Sequence, residues 1–190
     1  SLSDERLRER QTASELKFDG KILHLYRDDI ELPNGQPAER EVIRHVGAVC
    51  VIPVTKDMDV VTVKQYRYAF EQVMLEIPAG KLEIGEAPLD AVKRELEEET
   101  GCIAATYRDL GKFYPTPGYC GEIIHLYAAW NLKETHMHLD EDEFLEVEKI
   151  PLEKAVDMVM NGEIPDGKTQ TLIMRVAEMK RRGIIGGGKV

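Results

Sequence analysis

The residues best suited to chemistry are four glutamates crowded together: Glu95, Glu97, Glu98 and Glu99, in the stretch GKLEIGEAPLDAVKRELEEETGC. Carboxylate oxygens held close together suit hard divalent cations. An acidic protein needs such cations to hold a phosphate against its own charge. On a helix turning about 100° per residue, Leu89, Val92 and Leu96 form an apolar stripe. Glu95, Glu98 and Glu99 form the adjacent arc, and Glu97 falls on the far side. Like charges four residues apart destabilise a helix by a few tenths of a kcal/mol each, and desolvation beside the stripe adds to that. Two readings stand: a solvated acidic face with Lys93 and Arg94 as incidental partners, or a cage for cations. Convergence beside an apolar stripe favours the cage.

The elements around this segment can be read from punctuation and period. Pro88 suits the first turn of a helix, where its missing N–H is no loss, and Gly101 suits the residue that ends it. GAVCVIPV (47–54) is a continuous apolar run, predicted as a buried strand. DVVTVKQYRYAF alternates and is predicted as its neighbour, joined by a turn at Lys56–Asp59; MLEIPAG is a short strand. Strands are also predicted in CIAATYRDLGKF, EIIHLYAAWNL and FLEVEKI, and helices after Pro151 and over GKTQTLIMRVAEMKRRG. Upstream, residues 1–15 are expected to be a frayed or helical lead-in. Two strands then flank Asn34-Gly35, a strong hairpin signal. Helices following runs of strands point to an α+β fold, an α/β/α sandwich with an N-terminal antiparallel hairpin or sheet. The expected division is 1–45 for the N-terminal segment, 46–185 for the main domain and 186–190 for a flexible tail.

Composition limits the function. The chain has 190 residues, enough for one cored domain with an appendage, and its net charge of −10 argues against a nucleic-acid surface. No apolar run is long enough to span a bilayer, and SLSDERLRER lacks the apolar stretch of a signal peptide. Three cysteines without CxxC spacing argue against a disulfide framework or structural zinc site and suit a reducing cytoplasm. None of the five histidines has metal-ligand spacing. Trp130, at a strand end, reads as packing.

The segment from Gly80 to Cys102 matches, position for position, the motif of the Nudix hydrolases: Gly80, Glu86, Arg94-Glu95-Leu96, Glu98-Glu99, Thr100-Gly101 and an apolar Cys102. The chain resembles that family over most of its length. The resemblance implies the Nudix fold and hydrolysis of a nucleoside diphosphate linked to another group, with Mg²⁺, or Mn²⁺ as a substitute. By position, Glu95 and Glu99 resemble the principal metal ligands, Glu98 a shared ligand or activator of water, and the carbonyl of Ala79 a backbone ligand. Arg94 resembles the residue that orients the glutamates. Glu86 is either an outer partner or a helix-entry charge. The N-terminal hairpin, VKQYRY, EIPAGKLE, PTPG and DEDEF resemble the ADP-ribose pyrophosphatase branch. Pro117 stands near that branch's proline, whereas Tyr119 stands near a tyrosine of dinucleoside polyphosphate hydrolases. From LDEDEF, Glu143 and Glu141 are candidates for general base, with Glu143 preferred. Arg40 and Arg67 match substrate-contacting positions, Arg67 more convincingly. Glu122 is a candidate for the terminal ribose or the metals, and Tyr26 for stacking on adenine.

The implied reaction is hydrolysis of ADP-ribose to AMP and ribose 5-phosphate by a homodimer with exchanged N-terminal segments. ADP-glucose and GDP-mannose are rival substrates, and a noncatalytic ADP-ribose sensor is the rival class. Every motif carboxylate is present and no basic helix-turn-helix is visible, which disfavours the sensor. The acidic balance disfavours RNA substrates.

Overall fold

Asn34-Gly35 turns the chain as its composition requires. Gly35 takes φ +83°, a left-handed conformation that costs glycine little. The Leu32 N–H donates to the Gln36 carbonyl at 2.8 Å, closing the turn. The computed structural model describes residues 2–186; of the tail expected over 186–190, residues 187–190 lie outside the described residues. The chain divides into two units, Ser1–Val46 with Tyr114–Ile123, and Gly47–Phe113 with Ile124–Val190.

The first unit starts with a short helix, α1 (Leu2–Glu5), followed by β1 (Arg10–Asp19), β2 (His24–Glu31) and β3 (Pro37–Arg44). The three strands form an antiparallel sheet in that order. The expected two-stranded hairpin is therefore a three-stranded sheet, and the lead-in becomes a strand from Arg10 onward. Every residue of β1 is exposed, so no buried face imposed an apolar alternation that could announce it. The segment 114–123 lies along β3: the Ile43 N–H donates to the Tyr119 carbonyl and the Gly121 N–H to the Ile43 carbonyl, both at 2.8 Å. Asp28, buried in this unit, accepts from Ser14 Oγ at 2.6 Å and Arg44 Nη2 at 2.9 Å.

The second unit contains β4 (Ala48–Pro53), β5 (Asp59–Arg67), β6 (Gln72–Glu76), β7 (Ala79–Lys81), α2 (Pro88–Thr100), β8 (Cys102–Phe113), β9 (Ile124–Glu134), β10 (Leu145–Pro151), α3 (Leu152–Met160) and α4 (Gly167–Arg181). Its sheets have the orders β7-β4-β9-β8 and β10-β5-β6. All six residues of β4 are buried, as expected for a strand covered on both faces. Ala48, Cys50 and Ile52 join Leu172, Ile173 and Val176 of α4, while Val49 and Val51 join Ala91, Val92 and Leu96 of α2. This two-sided packing is the α/β/α sandwich. One pairing differs from the expectation. β5 does not neighbour β4 in a sheet; a Val54–Val60 bridge joins their ends. The place beside β4 is taken by β9, running parallel, with Ala48 opposite Ile124. A residue in left-handed conformation at Met58 (φ 63°) lies in the connection, and β5 pairs instead with β6 and β10.

Candidate functional site

The glutamates sit on α2, bounded as predicted by Pro88 in its first turn and by Gly101, whose φ of +67° ends it. The buried residues of the helix are Ala91, Val92, Glu95, Leu96, Glu99 and Thr100. The stripe is thus rotated from the one read off the sequence: Leu89 is exposed and Ala91 lies inward. The rotation carries Glu95 and Glu99 into the interior, 7% and 4% exposed.

The chain at Ala79–Gly80 lies against these carboxylates. The Ala79 N–H donates to Glu99 Oε2 at 3.2 Å. A Cβ placed on Gly80 would come within 2.1 Å of the Glu95 carboxyl, so glycine is the residue that leaves that carboxylate room. Arg94 gathers the others. Its Nη1 donates to Glu95 Oε1 at 2.7 Å and Glu98 Oε2 at 3.2 Å, while Nε and Nη2 each hold Glu86 at 2.9 Å. Such charge-assisted bonds fix both partners. Glu86, ambiguous from sequence, is thus a partner of Arg94; that guanidinium and the Glu83 N–H hold its carboxyl down at about 2.

Burial pushes Glu95 up to about 7, with Arg94 opposing, and Glu99 up to about 8, with the charge of Glu95 adding to the rise. Glu143 also raises both, which places its charge near theirs. Its loop is tied to the end of α2: the Thr135 N–H donates to the Gly101 carbonyl at 2.5 Å and the His138 N–H to the Glu98 carbonyl at 2.9 Å. Glu143 is half-buried and Glu141 exposed. Among the described residues, no group of three or more His, Cys, Asp or Glu side chains is closed around a point fit for a metal ion. Instead Glu95 and Glu98 turn to Arg94, and Glu99 to Ala79. The donors nevertheless fit a hard divalent cation: desolvated carboxylates repelling one another, beside a glycine whose Cβ would displace the Glu95 carboxyl.

Arg67, at the end of β5, is bidentate on Glu76, Nε to Oε2 at 2.6 Å and Nη2 to Oε1 at 2.7 Å. Its charge draws the Glu99 carboxyl downward. Lys168 Nζ reaches the same Glu76 Oε1 at 2.8 Å. Glu76 and Lys168 are site neighbours that the sequence alone did not single out. The available signal was a glutamate inside the apolar run VMLEIP.

The remaining candidates lie in the first unit. Arg40, exposed on β3, grips Glu9 with Nε and Nη2 at 2.8–3.2 Å. Tyr26 on β2 has the Arg44 guanidinium 4.3 Å from its ring centroid, so one face of the ring is covered. Glu122 is half-buried, and Pro117 is exposed in the turn closed by the Cys120 N–H on the Thr116 carbonyl at 3.1 Å.

Comparison with known proteins supports the same reading. Residues 44–170 match the NUDIX domain, and residues 9–43 the nucleoside diphosphate sugar hydrolase N-terminal domain. A protein of Bacillus subtilis named ADP-ribose pyrophosphatase is 46% identical over 86% of this chain and 89% of its own. One of Bacillus methanolicus named methanol dehydrogenase activator is 45% identical over 85% of this chain and 88% of its own. A solved structure described as an ADP compounds hydrolase aligns with a TM-score of 0.82 at 23% identity, covering 93% of this chain and 97% of that one, which establishes the shared fold. With the motif on α2, the fold and the matched domain in agreement, this chain belongs to the Nudix family.

Proposed function

We propose that the chain hydrolyses the diphosphate of ADP-ribose, giving AMP and ribose 5-phosphate. The observation that carries the reading is the burial of Glu95 and Glu99 against Ala79–Gly80, with Arg94 holding Glu95 and Glu98. The name of the Bacillus subtilis relative supports this substrate.

Nudix membership brings a requirement for divalent metal ions; Mg²⁺ is the proposed ion, with Mn²⁺ able to substitute. Glu95, Glu98, Glu99 and the Ala79 carbonyl would hold it, and when bound it supplies neutralisation of the diphosphate and acidification of water. Arg94 gathers and orients Glu95 and Glu98 before the ion arrives. Glu143, on its loop, accepts the proton of the attacking water, with Glu141 the second candidate for that task. Arg67 uses Nε and Nη2 on Glu76 and offers Nη1 to a phosphate oxygen. The water attacks phosphorus in line and the opposite phosphate leaves. Arg40, Tyr26, Glu122 and Pro117 are proposed to bind the rest of the substrate, Tyr26 through the free face of its ring.

The proposed assembly is a homodimer with exchanged N-terminal segments, supported by β1, exposed throughout, and by Leu16, Phe18, Ile22 and Leu23, each about half exposed. Among the described residues no helix is long and apolar enough to cross a membrane. A reducing cytoplasm is the proposed location, supported by three free cysteines. The name of the Bacillus methanolicus relative suggests a second reading, action on a dehydrogenase; the full carboxylate set favours catalysis.

Product analysis with Mg²⁺ tests the proposal across ADP-ribose, ADP-glucose, GDP-mannose, NADH, diadenosine polyphosphates and nucleoside triphosphates. Preferential release of AMP and ribose 5-phosphate from ADP-ribose is the expected result. Preference for another substrate overturns the substrate, and binding without turnover overturns catalysis.

A further inference from the structure

Behind Arg67, which the reaction above places on a phosphate oxygen, a chain of charges continues through Glu76 to Lys168 and Asp166, and the reaction leaves those last two unused. Glu76 is 1% exposed. Its Oε1 accepts from both Arg67 Nη2 at 2.7 Å and Lys168 Nζ at 2.8 Å. Lys168 also donates to Asp166 Oδ1 at 3.0 Å. Asp166 in turn caps α4, accepting from the Thr169 N–H at 3.1 Å. Two acids and two bases alternate, so the cluster is neutral as a whole but each member depends on its neighbours.

The first turn of α4 holds the strand beside it at a second point. The Ile77 N–H donates to Thr169 Oγ at 3.2 Å. Glu76 and Ile77 thus take their partners from one turn of one helix, and two residues beyond Ile77 is Ala79, whose N–H holds Glu99. A surface role does not explain this placement. Exposed ion pairs need no burial, and a lysine with only 14% of its side chain exposed costs free energy that an apolar side chain would not. What the lysine supplies is a second cation on Glu76. With one carboxylate oxygen shared, the Arg67 fork is fixed in plane and direction, leaving Nη1 outside the fork.

We propose that Lys168, anchored by Asp166, is a positioning residue: through Glu76 it orients Arg67 for an oxygen of the substrate diphosphate. The inference rests on the proposed function, because Arg67 needs a diphosphate to hold.

The test is a double-substitution cycle with Arg67→Met, Lys168→Met and both together, run beside Lys168→Arg. KM and kcat for ADP-ribose are measured with saturating Mg²⁺, and binding of the non-hydrolysable α,β-methylene analogue by calorimetry. Lys168→Met is expected to raise KM and the analogue Kd about tenfold, more than it lowers kcat. The double variant should bind no worse than Arg67→Met alone, and Lys168→Arg should restore part of the loss. Mn²⁺ affinity, followed by electron paramagnetic resonance, should stay within about twofold of wild type. Additive losses, or unchanged KM and Kd with only a lower melting temperature, overturn the inference. Should Lys168→Met not fold, Asp166→Asn, which keeps an oxygen for the cap, carries the same cycle: non-additive loss with Arg67→Met supports the inference and additive loss overturns it. A wild type that binds the analogue without hydrolysing ADP-ribose overturns the proposed function, while the cycle is still decided by Kd. A wild type that binds neither ligand overturns both.

Discussion

The backbone of Gly80 and the carboxylate of Glu95 occupy adjoining space with no room for a methyl group between them: a Cβ on Gly80 would lie 2.1 Å from Glu95 Cδ. Gly80→Ala should therefore displace the carboxylate rather than merely stiffen a turn. We expect a ~10–100-fold loss in Mn²⁺ affinity and turnover, with Arg94 still bound to Glu86. Mn²⁺ titration by electron paramagnetic resonance checks the first and steady-state kinetics the second. Wild-type affinity in this variant would sink the account of the cradle.

Stability without metal should fall as pH rises. Glu95 and Glu99 titrate near 7 and 8 in the folded chain against an ordinary 4.5. Between 4.5 and 8 the native state therefore holds more protons than the unfolded state, and stability declines through that window. Calorimetry in the presence of chelator should show the melting temperature dropping from pH 5 to pH 8. Glu99→Gln should flatten part of that slope and Mg²⁺ should reverse it. A wild-type profile that is level or rising over this range contradicts the assignment.

Glu99→Gln should also cost hydrolysis about 100-fold or more, on the scale of losing a key electrostatic group in an active site. The same variant should be no less stable than wild type at pH 8, because a buried repulsion has been removed. Loss of activity through misfolding would show the opposite sign in the melting temperature.

Arg94→Lys keeps the charge but loses the fork that holds Glu86 with two nitrogens while Nη1 reaches Glu95 and Glu98. Lysine has a single point of attachment. Turnover should drop roughly tenfold or more, on the scale of outer partners of a metal site, and extra Mg²⁺ should recover only part. Full recovery at high Mg²⁺ would reduce Arg94 to a charge balance.

Thiol labelling separates the cysteines. Cys50 and Cys102 are buried, and burial pushes the Cys50 thiol up to about 12. Native protein should react with a disulfide reagent at Cys120 alone, and the other two only on unfolding. Rapid reaction of all three without denaturant would contradict the two-sided burial of β4.

What the sequence disclosed depended on how local the cause was. Pro88 and Gly101 mark α2 because a helix terminus is decided by a residue's own backbone, and Asn34-Gly35 marks its hairpin for the same reason. Leu89 misplaced the buried stripe because an alanine, Ala91, packs inward where a larger apolar residue was expected. β1 was hidden since strands exposed on every residue carry no period. The β4–β9 pairing, the junction of Glu76 with Lys168 and the placement of Gly80 under Glu95 are set by tertiary packing between distant segments. Of the site, the glutamates and Arg94 were readable as a motif. Their partners Glu86 and Ala79 were half readable; Arg67 was a candidate by position, but Glu76, Lys168 and Asp166 behind it were not.

The parallel pairing of β4 with β9 also governs how the chain is made. Ala48–Pro53 is synthesised well before Ile124–Glu134. At roughly 5–20 residues per second, several seconds pass while a wholly apolar strand waits for its neighbour. Until then its open edge offers itself to other chains. Antiparallel β7, three residues long and soon to follow, can close only one side. A nascent chain halted before β9 is thus the form most exposed to aggregation, and yield in a cell will depend on the speed of translation through β8 and the availability of chaperones during that interval.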